Sequence, residues 1–299
     1  MKELAKVYEE AAGKVAAIVL STDLKNLSEI TSGAWRQIQH QLELEAAKLR
    51  DAVKIQAINT IERGGSLYSS VHEDYLFELI DKTYGKITEA GIVNMFEAIN
   101  PKLVRSMLNR VYTTGYTFSD RIWRVGEDMQ IQIKNVISVS LSMNRDVIDI
   151  ARDITTYVKS GRRGLAKRYG DLIKGSKEWA QRIRKDVDYN ALRLVRSELY
   201  MSLQDAAVMT GEMNPGCTQE YDWKRNTSED WNCDCPDLEA GGPYTADEIP
   251  DYPHPSCSCT IIPRLMDQNE FLADVKKWSK GEDVDYMDTW YNTKYLQAA

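Results

Sequence analysis

All five cysteines of this 299-residue chain (Cys217, Cys233, Cys235, Cys257 and Cys259) fall in its last third, with His254 among them. Core thiols scattered by chance would not bunch in this way. The stretch that holds them, residues 216–263, is rich in Gly, Pro, Asp and Asn. Such a stretch buries little apolar surface, so its shape needs another source of rigidity. Cys233-x-Cys235 and His254-x-x-Cys257-x-Cys259 supply two short donor groups joined by a loop, the layout of a tetrahedral zinc site. The spacing departs from the usual C-x-x-C, and on a strand two cysteines two apart would face one side. Three outcomes stay open: a structural zinc, reduced buried thiols with a structural His, or disulfides formed outside the cell. Five donors for four places leave at least one bystander. Cys217 lies outside both groups and reads as a small apolar residue.

The same residues fit catalysis poorly. Zinc deaminases need H-x-E ahead of P-C-x-x-C, and zincins need H-E-x-x-H. Here His254 follows the first cysteine pair and is itself followed by Pro255, with no Glu beside it. A nucleophilic cysteine needs an oriented His base. The chain has only His40, His72 and His254, two of them in the other half. Paired acids such as Asp186/Asp188 and Asp283/Asp285 read as solvated surface charge.

Ahead of this module the chain is helical in character. Ile38, Leu42, Ala46, Leu49, Val53, Ala57 and Ile61 recur at steps of three and four, one apolar stripe on a helix. The stripe fits a core, or a seam for another subunit. Gly64-Gly65 is expected to stop that helix. Further helices are expected over 3–20, 70–84 and 102–112, the last opening near Pro101. Residues 129–143 alternate like a strand but also carry a helical repeat, and helix is the preferred reading. Asn144 would then cap an amphipathic stretch through Val147, Ile150, Ile154 and Val158. A basic loop follows, Gly161-Arg162-Arg163-Gly164 with Lys167 and Arg168. It reads as a nucleic-acid or partner contact, or as plain solvated surface. A long helix is expected over 176–212, ending at Gly211. Arg196 and Glu198 on it are two apart and cannot pair with each other, so each would need a partner in the C-terminal module. Strands are expected at 218–224 and 260–262, a helix at 268–279, and an extended tail beyond.

Net charge is -7, unevenly spread. Lys and Arg outnumber Asp and Glu by 13 to 6 in residues 151–200, and the acids lead by 19 to 7 in 201–299. An acidic Cys/His region argues against a cellular nucleic-acid-binding zinc module, which stands as the alternative, ahead of a metal hydrolase. No run is long and apolar enough for a membrane span, and no secretion leader opens the chain. A cytoplasmic start and no membrane partner are expected.

An ordered set of residues is more specific. It runs Leu194-Val-Arg196-Ser-Glu198, Ala206/Ala207, Gly211, Trp223, Asp230, Cys233, Cys235, Leu238, Gly241, Tyr244 and Pro250. It closes on His254-Pro255-x-Cys257-x-Cys259 and Pro263. This resembles the C-terminal domain of the Mu F-like minor head (head morphogenesis) proteins of tailed phages, over roughly residues 190–265. It departs in its C-x-C first pair and in Ser258 between the last two cysteines. The resemblance implies a non-enzymatic minor capsid protein inside the virion head near the portal, made in the host cytoplasm. Its partners would be portal, capsid and scaffold proteins and packaged double-stranded DNA, with roles in assembly, DNA packaging or ejection.

The expected fold class is α+β: a helical portal- or capsid-docking segment (1–175), a Cys/His module with its long helix (176–265), and a helix with tail (266–299). Cys233, Cys235, His254, Cys257 and Cys259 are the candidate ligands of a structural zinc. Arg196, Glu198 and Trp223 are the structural anchors, and Arg162, Arg163, Lys167 and Arg168 the DNA or partner contacts.

Overall fold

The computed structural model describes residues 2–21, 32–80, 86–112, 114–142, 147–169, 189–226, 233–254 and 257–298. Its fold is α+β and mostly helical, with a small antiparallel sheet beside the Cys/His cluster near the C-terminus. The helices are α1 (Lys2–Ser21), α2 (Ser32–Leu79), α3 (Glu89–Glu97), α4 (Ile99–Asn109), α5 (Phe118–Ser142), α6 (Val147–Tyr169) and α7 (Tyr189–Met213). There follow β1 (Cys217–Lys224), α8 (Cys235–Gly241), β2 (Tyr244–Thr245), β3 (Thr260–Leu265) and α9 (Gln268–Ser279). The chain closes with α10 (Asp285–Trp290), a π turn (Tyr291–Tyr295) and α11 (Leu296–Ala298). Two compact units interleave in sequence: residues 1–56 with 111–195, and 57–110 with 196–299. Helices α2 and α7 each contribute residues to both units.

In the first unit α6 packs against α1 and α5. The stripe Ile38, Leu42, Ala46, Leu49 and Val53 is fully buried, so here it is core. Within α5, Met129 and Ile133 are buried while Ile131 is 50% exposed. A strand would put all three on one face, and the helical period separates them. Glu45 is buried and accepts from Lys48 (2.8 Å), Gln41 (2.8 Å) and Lys14 (3.1 Å). Burial pushes its carboxyl up, but the two lysines outweigh that and hold it below the usual range.

Several expectations change. The basic loop at 161–168 is helical. The chain turns at Gly161, whose φ of 59° lies in the left-handed region open to glycine, and the helix then resumes to Tyr169. Arg162, Arg163, Lys167 and Arg168 are on that helix, and their side chains lie outside the described residues. The proposed cap Asn144 and residues 176–188 of the expected long helix also lie outside them.

Gly64-Gly65 does not stop α2, which continues to Leu79. Both glycines serve close approach. A Cβ on Gly64 would come within 2.6 Å of Leu203 Cδ2, and one on Gly65 within 2.2 Å of Asn100 Oδ1 and 2.6 Å of Leu103 Cδ1. Gly65→Ala is therefore expected to cost about 1–3 kcal/mol through overpacking. Gly13→Ala, with nothing within 4 Å of the new Cβ, should gain about 0.5–1 kcal/mol. Denaturant midpoints that move in the same direction for both would overturn this account of Gly65.

The second unit holds the sheet, in order β2-β1-β3 and antiparallel throughout. Alternation along β1 turns Tyr221 and Trp223 inward. The tail is helical rather than extended, because its aromatic rings find partners. Trp290 Nε1 donates to the Met213 carbonyl at 2.7 Å and Trp278 Nε1 to Asp288 at 2.8 Å. The Tyr295 hydroxyl accepts from the Thr88 amide at 2.8 Å. Gly211 is not the stop of α7. The helix runs two residues further, and Tyr221 packs where a Gly211 side chain would be.

His72 is buried here, stacked on Phe96. Asn214 Oδ1 accepts from the Gly216 amide at 2.8 Å, which fixes the amide so that Nδ2 donates to His72 Nδ1 at 2.9 Å. Burial pushes the imidazole down to about 4. The unfolded chain binds a proton at His72 between pH 6.5 and about 4 that the folded protein does not. The stabilisation is thus complete above pH 6.5 and falls as pH drops to about 4, by about 3 kcal/mol in all. His72→Gln, which keeps an acceptor for Asn214, should flatten unfolding free energy against pH in that window. An unchanged slope would refute the assignment.

Candidate metal centre

The cluster is assembled from three local structures. Cys235 is the first residue of α8 and is followed by Pro236, which suits the first turn of a helix. Cys233 precedes it in a bend. Neither cysteine is on a strand, so the C-x-C spacing does not put their sulfurs on one face of a sheet. Cys257 and Cys259 lie in the run that enters β3, and the Cys259 carbonyl accepts from the Tyr252 hydroxyl at 3.0 Å. His254 turns into that run, with its carbonyl accepting from the Cys257 amide at 3.3 Å. Asn226 holds the same run by donating to Ser258 at 3.0 Å.

All five sequence-derived candidates converge. Cys233, Cys235 and His254 form one group and Cys235, Cys257 and Cys259 another, each with its donor atoms within 4.8 Å of one another. Cys235 is common to both. Its sulfur is 3.6 Å from that of Cys257 and 3.9 Å from His254 Nε2. A disulfide needs about 2.0 Å, and all five cysteines are free thiols. Around a tetrahedral metal with sulfurs at about 2.3 Å, neighbouring sulfurs stand about 3.8 Å apart. The donor set therefore fits a metal ion. Burial pushes the Cys235 thiol well up and the Cys257 thiol up to about 11. A bound cation would supply the charge that holds them as thiolates.

Trp223 lies against this cluster with Tyr221, Ile261 and Ala207, its ring 5.3 Å from that of Tyr252. Leu238 and Tyr244 also pack against it, half-buried, and the Tyr244 hydroxyl donates to the Leu238 carbonyl at 2.6 Å. Comparison with protein-family models, with curated proteins and with solved structures found no match.

The anchors on α7 are placed differently from expectation. Arg196 is exposed. Glu198 is fully buried and faces Arg110 at the end of α4, Nη1 to Oε2 3.6 Å. Arg110 also donates to Asp205, which accepts from Ser106 at 2.7 Å. Sequence spacing carries no signal for a partner on another helix so far back along the chain.

Cys217 is buried apart from the cluster, and burial pushes its thiol up to about 12. It borders a cavity of about 840 Å³ together with Asn214, Met266, Tyr286 and Trp290. None of the five clustered donors lines that cavity. Among the described residues, no helix is long and apolar enough to cross a membrane.

Proposed function

We propose that this chain is a structural minor head protein of a tailed phage, held inside the head near the portal, and that zinc knits its C-terminal module. The observation that carries the proposal is the packing role of the motif residues. Trp223, Cys235, Leu238, Tyr244, Cys257 and Cys259 are drawn together as one core. Gly241 allows the Tyr244 hydroxyl to approach where a Cβ would stand at 2.7 Å. Residues spent on holding shape suit a scaffold rather than a catalyst. Zinc is the metal that such thiol and imidazole donors select for a closed structural site.

The N-terminal helices would dock on portal, capsid or scaffold proteins. Arg162, Arg163, Lys167 and Arg168 would meet packaged double-stranded DNA or an acidic portal face, in either assembly or genome ejection. Co-expression with the portal protein of the same phage tests this. The chain should co-purify with the portal ring, and purified heads should contain it at low copy. Charge reversal at the four basic residues should weaken portal or DNA binding, most at low salt. Heads that lack the chain, with no portal binding at low salt, would refute the proposal.

A further inference from the structure

We infer that the metal site has three fixed ligands, Cys235, Cys257 and Cys259, and a fourth place that either Cys233 or His254 can fill. The inference rests on the zinc reading above. Among the described residues the five donors make two overlapping threes rather than one four. Cys235 is shared, so any ion bound by more than one local segment must include it. Cys235, Cys257 and Cys259 are all buried, whereas Cys233 and His254 are both half-buried.

Backbone support follows the same division. Cys235 is fixed by entry into α8. Cys257 and Cys259 are fixed by the Tyr252 and Asn226 contacts, and by β3, whose Thr260 pairs with Lys224 of β1. Cys233 and His254 sit in bends, with their donor atoms within 4.8 Å of each other and of Cys235. Zinc has no directional electronic preference among tetrahedral donor sets and accepts both four-thiolate and three-thiolate-one-imidazole sites. An ion held on the buried three would therefore take whichever of the two closes first, and leave the other as a spare donor beside it. Exchange changes only the charge of the site, by one, since a thiolate is anionic and an imidazole neutral.

The test uses the full chain purified under reducing conditions, with zinc measured by atomic emission and cobalt(II) as a spectroscopic substitute. Wild type should carry one zinc per chain. Cys233→Ser and His254→Ala should each still carry it, and the Cys233→Ser/His254→Ala double variant and Cys235→Ser should lose it. The sulfur-to-cobalt charge-transfer band reports thiolate number, so in Cys233→Ser it should be about a quarter weaker than in His254→Ala. Circular dichroism on each variant separates loss of metal from loss of fold, and the cobalt bands of the two single variants do not depend on Cys235→Ser folding. An empty site in either folded single variant would overturn the inference while leaving zinc in place, as would two zincs per wild-type chain with Cys235 as a bridge. Wild type without any metal would overturn the zinc reading itself.

Discussion

Trp223→Ala is expected to lower the unfolding free energy by about 4 kcal/mol. Trp223 is 1% exposed and heads the largest fully buried side chains. Its removal would open a cavity against Cys235, Cys257, Cys259 and Ile261. Trp223→Phe should be far milder, about 1–2 kcal/mol, for two reasons. Most of the ring volume stays, and the lost indole N–H finds no acceptor among the described residues. Denaturant unfolding gives the energies, and thiol labelling in the absence of metal should speed up in the Ala variant. Equal losses for Phe and Ala would mean that the indole N–H matters and that this packing account is wrong.

Arg110→Ala is expected to cost about 3 kcal/mol, because it strips one arginine from two acids, one of them fully buried. Glu198 is 0% exposed and Asp205 is partly covered, and both face the same guanidinium. A buried carboxylate that loses a cation facing it is costly, more so than an uncharged amide in the same place. Adding Glu198→Gln to Arg110→Ala should therefore recover part of the loss, as read in a double-variant cycle of unfolding free energies. A double variant no more stable than Arg110→Ala would show that the buried charge is not what the arginine offsets.

Local periodicity made much of the architecture readable. The helix at 268–279 and strands near 218–224 and 260–262 appear with bounds close to those expected. The Ile38–Ile61 stripe is buried along its length. Glycine misled where its role was tertiary. Gly64, Gly65 and Gly211 all continue helices because neighbouring side chains occupy the space a Cβ would need. The tail misled for a related reason. Trp290 and Tyr295 bond to Met213 and Thr88, and no window within the tail reveals either partner.

The site divides in the same way. Composition and spacing alone marked Cys233, Cys235, His254, Cys257 and Cys259 as one group, because a loop-rich stretch with little apolar mass needs donors that converge. Which of them share a neighbour, that Cys235 stands at the centre, and that Glu198 pairs with Arg110 from another helix were decided only by the tertiary structure. Donor type and spacing are properties of the chain read in one dimension. Distances between segments joined by long connections are set by how distant faces pack, which no local pattern encodes.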